Sequence, residues 1–147
     1  MSNGLWYNKV QKEGSFMLKL PKGNSNFVDI VTKGFVYVDK TKYIEMLENG
    51  NDKFVHFLRP RRFGKTINAA MLSAYYTKGY DTHELFKDLK IAQTVSYEEH
   101  INKHHVIYID FSRLPDPCNS YEEYISWIKY CLQDDLKKGY GIEKVPG

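Results

Sequence analysis

FVHFLRPRRFGKT occupies residues 54–66, and its reading decides what fold to expect. Its first five residues, Phe54–Leu58, are apolar except for His56 and short enough for a strand. Beyond Gly64-Lys65-Thr66, the apolar residues Ile67, Ala70, Met71, Ala74 and Tyr75 recur at the spacing of an amphipathic helix. Strand, loop and helix in that order form the setting in which the phosphate-binding pattern GxxxxGK[ST] becomes credible. The first N–H groups of such a helix are unpaired and lie at the positive end of its dipole, so a phosphate is stabilised there. Gly64 lets the backbone approach the anion. Lys65 reaches the β- and γ-phosphate oxygens as a point charge, and the Thr66 hydroxyl completes the octahedral shell of a magnesium ion. The pattern departs from its consensus at one place, since Arg59 stands where the first glycine belongs. The expected ligand is a nucleotide, taken as ATP, with Mg2+, on the loop Arg59, Pro60, Arg61, Arg62, Phe63, Gly64, Lys65 and Thr66, with Thr66 as the metal ligand, although the pattern itself does not name the base.

Working outward, Phe35–Val38 is a β-branched and aromatic run that reads as a strand ending at Asp39. A helix follows from Thr41, its N-cap, to Glu48, with Asn49-Gly50 as the stop. After the central helix, ended by Gly79, a polar helical region covers Thr82 to Leu89, and Ser96 with Glu99 makes a capping box for a short helix. His105–Phe111 reads as a strand buried on both faces. Ser120 and Glu123 make a second capping box. It opens a helix whose apolar face is Tyr121, Tyr124, Ile125, Ile128, Cys131, Leu132 and Leu136, and which runs until Gly139. This alternation predicts an α/β fold with a mainly parallel sheet and flanking helices, over residues 16–147, behind an N-terminal arm of residues 1–15.

The chain has 147 residues, 42% hydrophobic and 27% charged, which is enough for one buried core and excludes a disordered or coiled-coil chain. No apolar run approaches the ~20 residues of a membrane span, and the first fifteen residues contain no secretory signal. The expected location is the cytoplasm. Cys118 and Cys131 fit neither a disulfide scaffold nor a CxxC site and read as reduced packing residues. Charge is uneven. Residues 1–66 hold twelve basic against six acidic residues and the remainder nine against twelve, so the basic side centres on the loop. Three of the four arginines are Arg59, Arg61 and Arg62. They read either as a solvated turn or as contacts to a nucleic-acid backbone, and the second option makes phosphate-backbone binding the alternative function.

RPRRFGKT, together with YVDKT at residues 37–41, resembles the AAA-ATPase-like family of bacterial P-loop proteins. The likeness begins near Leu18 with LPKGNSNF and continues through ELFKDLKI at Glu84–Ile91 to VIYIDFS at Val106–Ser112. In that family an arginine at the first glycine position of the loop is usual. The resemblance implies an N-terminal ATPase-like domain, commonly joined to a PD-(D/E)XK nuclease-like domain, with a later Walker B strand ending in an Asp-Glu pair. No Asp-Glu pair occurs in these 147 residues. The chain thus reads as the N-terminal part of such a domain, with an incomplete sheet, no full catalytic site and an exposed edge prone to self-association. Asp110 ends a Walker-B-shaped run, but Phe111 stands where the water-activating glutamate belongs, and a loop-capping role is preferred. His100 and His104 lack the further ligands of a zinc site. Tyr75, Tyr76, Tyr121 and Tyr124 lie on helix stripes and are assigned to packing. Spacing alone gives Asp39 and Lys40 no chemical role.

Overall fold

The computed structural model describes residues 18–50, 52–58, 60, 63–111 and 115–140, so the expected arm at residues 1–15 lies outside the described residues. The chain divides into two compact units, with the boundary between Ile107 and Tyr108. The first unit contains α1 (Phe27–Thr32), α2 (Lys42–Asn49), α3 (Lys65–Tyr76), α4 (His83–Phe86), a 3-10 turn (Lys90–Gln93) and α5 (Tyr97–His100). The second contains α6 (Tyr121–Tyr140).

The helix that the loop leads into forms as its periodicity predicts, though it begins two residues before Ile67, at Lys65. Its Met71 and Tyr75 side chains are fully buried. They join Phe27, Ile44, Phe86, Ile91, Tyr97 and Ile101 in one core cluster. Aromatic rings dominate it: Phe86 sits 5.1 Å from Phe27 and 5.3 Å from Tyr75, and Phe27 meets Tyr37 edge-on at 5.3 Å. Such pairs add about 0.5–1.5 kcal/mol each beyond the area they bury. Tyr75 and Tyr76 thus pack as expected, Tyr75 fully and Tyr76 in part.

The parallel sheet does not form, which corrects the α/β expectation. Among the described residues there is no β-strand, and the sole ladder-type pairing is an isolated parallel bridge between Thr77 and His104. Residues 35–38, 54–58 and 106–110 belong to no strand. Val36 N–H donates to Lys19 O at 3.0 Å, a single bond rather than a register. The reason is that apolar composition favours extended backbone, while a strand needs a second segment alongside to exchange its hydrogen bonds. Here the apolar side chains that would fill a sheet face lie in solvent: Phe54 is 86% and Leu58 89% exposed. The core is built instead between helices and short turns.

One polar residue fixes how α3 ends. Asn102 takes the left-handed conformation, φ 55. Its backbone N–H donates to Tyr75 O at 2.7 Å, and its Nδ2 donates to the carbonyls of Ala74 and Thr77, each at 3.2 Å. Its Oδ1 accepts from the N–H of the buried Thr82 at 3.0 Å. The last carbonyls of a helix need such partners, and Asn102 supplies them from a distant part of the chain. His104 N–H continues the pattern onto Tyr76 O at 2.9 Å.

In the second unit, α6 begins with the expected cap. Glu123 N–H donates to Ser120 Oγ at 3.1 Å, and Glu123 Oε2 reaches back to Asn119 N–H at 2.7 Å. The helix passes through Gly139 rather than stopping there. Tyr124, Ile125, Ile128, Cys131, Leu132 and Leu136 are half-buried, whereas Tyr121 is exposed. Tyr124 OH donates to Phe111 O at 2.8 Å. Cys118 and Cys131 are free thiols. No helix among the described residues is long and apolar enough to cross a membrane.

Two outcomes follow from this core. Asn102→Ala removes a network that satisfies several buried groups and leaves a non-glycine residue at positive φ, so it is expected to cost about 1–3 kcal/mol in urea unfolding. Asn102→Gly keeps the backbone conformation and is expected to lose less. The second outcome concerns alkali. Burial pushes the Tyr37 hydroxyl up to about 12. It raises Tyr75 and Tyr76 as well, with the Glu48 carboxylate adding to the effect. The native state therefore holds protons that an unfolded tyrosine, titrating near ~10, gives up. Stability is full below about pH 10 and falls as pH rises from there through about 12. Tyrosinate absorbance at these rings should appear together with unfolding, not before it.

Candidate functional site

Gly64 has φ 75 and ψ 24, a left-handed conformation open to glycine and costly to residues carrying a Cβ. It immediately precedes α3 and caps it: Asn68 N–H donates to Gly64 O at 3.0 Å. Asn68 itself is buried, which ties the first turn to the core. Lys65 and Thr66 occupy that first turn with their side chains exposed, and Phe63 and Pro60 are exposed beside them. The expected phosphate-binding residues Gly64, Lys65 and Thr66 are therefore consecutive at a helix N-terminus. Arg59, Arg61 and Arg62, the remaining residues assigned to the site, lie outside the described residues.

The YVDKT segment, to which spacing gave no role, divides its residues between three tasks. Tyr37 enters the core, its ring on Phe27 and its hydroxyl directed at Met71 Sδ, 3.2 Å away. Asp39 and Thr41 form a clamp. Asp39 Oδ1 accepts from Thr41 N–H at 2.9 Å and from Thr41 Oγ1 at 2.7 Å. Asp39 Oδ2 accepts from Lys90 N–H at 2.9 Å, and Thr41 Oγ1 accepts from Ile91 N–H at 3.1 Å. Two side chains thus satisfy the opening N–H groups of the 3-10 turn, fifty residues further along the chain. Thr41 caps α2 by position only, since its hydroxyl is committed elsewhere.

Lys40 lies between the two clamped residues and faces Gly64. The position that a Cβ would take on Gly64 is 3.4 Å from Lys40 Nζ. Sequence reasoning missed this residue as a neighbour of the loop. The signal was present in YVDKT, but its meaning depends on a contact between segments that are far apart in sequence.

The other candidates are placed as follows. Asp110 is half-buried in the extended segment that leads toward α6, with Phe111 exposed beside it. His100 Nδ1 and His104 Nε2 are 3.0 Å apart with rings stacked at 5.2 Å, a hydrogen bond between two imidazoles. Among the described residues no group of three or more histidine, cysteine or acidic side chains could hold a metal ion.

A protein-family model described as Predicted AAA-ATPase matches residues 21–144. The chain belongs to this AAA-ATPase-like family. The match takes in YVDKT, the loop and the whole of α6, and so continues past the last of the motifs at Ser112. No curated protein and no solved structure matches the chain.

The clamp gives a direct test. Asp39→Ala leaves the Lys90 N–H and the Thr41 hydroxyl short of a partner and is expected to destabilise by about 1–3 kcal/mol. Thr41→Val should cost a similar amount. Because the two side chains act as one unit, the double variant is expected to lose clearly less than the sum of the two in a double-mutant cycle of urea unfolding.

Proposed function

We propose that the chain is a nucleotide-binding module whose phosphate site is the loop and first helical turn at Gly64, Lys65 and Thr66, with ATP as its ligand. The observation that carries the reading is Gly64, left-handed at φ 75 and directly before a twelve-residue helix whose first turn exposes Lys65 and Thr66. A helix N-terminus of this kind attracts phosphate through its N–H groups and its dipole. Membership in a family of predicted AAA-ATPases supports the same reading. Mg2+ would accompany the nucleotide, with the Thr66 hydroxyl as its protein ligand. Phosphoryl transfer to water also needs a group that orients the attacking water. The Asp-Glu pair expected for that task does not occur in these 147 residues. Binding with negligible turnover is the function assigned, in a cytoplasmic setting.

Titration with ATP, with and without magnesium, tests the reading. Wild-type protein is expected to bind ATP, and Lys65→Ala to lose binding while its unfolding midpoint moves within about 0.5 kcal/mol, as for an exposed substitution. ATP affinity equal in the two proteins would remove Lys65 from the site. Salt-sensitive binding to DNA with no binding of ATP would instead favour the arginine-rich loop as a nucleic-acid contact.

A further inference from the structure

We infer that Lys40 is a second phosphate-binding cation, which fits the site at Gly64 for a polyphosphate rather than for a single phosphate group. The inference rests on the nucleotide-binding reading above and names a residue outside the loop motif. Three observations lead to it. Lys40 Nζ lies against Gly64, 3.4 Å from where a Cβ would stand. The backbone on either side of it is held by the Asp39 and Thr41 clamp, four hydrogen bonds of 2.7 to 3.1 Å. No carboxylate among the described residues forms an ion pair with it.

An ammonium in that place faces the positive end of the α3 dipole, and Lys65 stands on the first turn of the same helix. Cations are favoured at helix C-termini and disfavoured at N-termini. Packing alone therefore gives no reason to hold a lysine there, whereas an anion between Lys40 and the N–H groups of α3 turns the repulsion into attraction. Two lysines reaching the same anion from separate segments match a ligand with several adjacent negative charges. The clamp gives Lys40 its place before any ligand arrives, which lowers the ordering cost of binding. Gly64 contributes through its backbone, whose left-handed φ of 75 leads the loop into α3 beside the ammonium.

The test compares wild type, Lys40→Met, Lys40→Arg and Lys65→Ala by calorimetric titration with ATP, ADP and AMP in magnesium buffer, alongside urea unfolding without nucleotide. Lys40→Met is expected to weaken ATP and ADP at least tenfold and AMP much less. Lys40→Arg should fall between Lys40→Met and wild type. The unfolding midpoint of Lys40→Met is expected to stay level or rise, since a repulsive charge is removed. Unchanged ATP affinity in Lys40→Met, while Lys65→Ala binds poorly, overturns the role of Lys40 and leaves the nucleotide reading intact. Failure of the wild-type protein to bind any of the three nucleotides overturns that reading itself. A Lys40→Met variant that does not fold makes the side chain structural and likewise ends the inference.

Discussion

Burial of Met71 and Tyr75 on one face of α3 is the constraint from which the first unit is built. Tyr75 alone touches Phe86, Tyr76 and Tyr97 through its ring, and its hydroxyl donates to Tyr97 O at 3.3 Å. A fully buried aromatic side chain is expensive to displace, on the order of 3–5 kcal/mol when truncated. The axis of α3 is thereby fixed, and both of its ends become fixed points. The C-terminal end meets Asn102, and the N-terminal end presents Gly64, Lys65 and Thr66 outward. The helix behind Gly64 is anchored in the core by Asn68, Met71 and Tyr75.

The same helix accounts for the position of YVDKT. Tyr37 reaches Met71 and Phe27, which draws the preceding segment against α3, and Asp39 with Thr41 then secures the turn at Lys90 and Ile91. Lys40, between them, is carried to the helix start. Structure and proposed ligand recognition are thus divided within one pentapeptide. Alternate positions hold the fold, and the residue between Asp39 and Thr41 faces the site. Loop and upstream motif are two parts of one local arrangement, although sequence separates them.

The second unit follows simpler rules. Ser120 and Glu123 start α6 as their spacing indicates, and the half-buried stripe keeps the helical period from Tyr124 to Leu136. A glycine near its end does not interrupt it, since Gly139 costs only about 1 kcal/mol relative to alanine and it is one residue of a twenty-residue helix.

The chain alone determined most of the helices, although its reading named none at Phe27–Thr32 and drew the one at His83–Phe86 too long. The stripe from Ile67 to Tyr75, the stop at Asn49-Gly50 and the cap at Ser120 are legible because a helix closes its hydrogen bonds within four residues, so its causes are neighbours in sequence. Gly64 before Lys65 was readable for the same reason. Tertiary structure decided everything that needs a partner from afar. Phe35–Val38, Phe54–Leu58 and His105–Phe111 have strand composition, but a strand requires an adjacent segment that composition does not name, and no ladder forms on them among the described residues. Ser96 carries a capping signal, yet its hydroxyl donates to Glu48 Oε2 at 2.5 Å and caps nothing. Thr41 is likewise diverted to Asp39 and Ile91, and Lys40 comes near Gly64 only because the fold brings the two segments together. A local signal states what a side chain can satisfy, and the competing partner that the fold brings closer decides what it does.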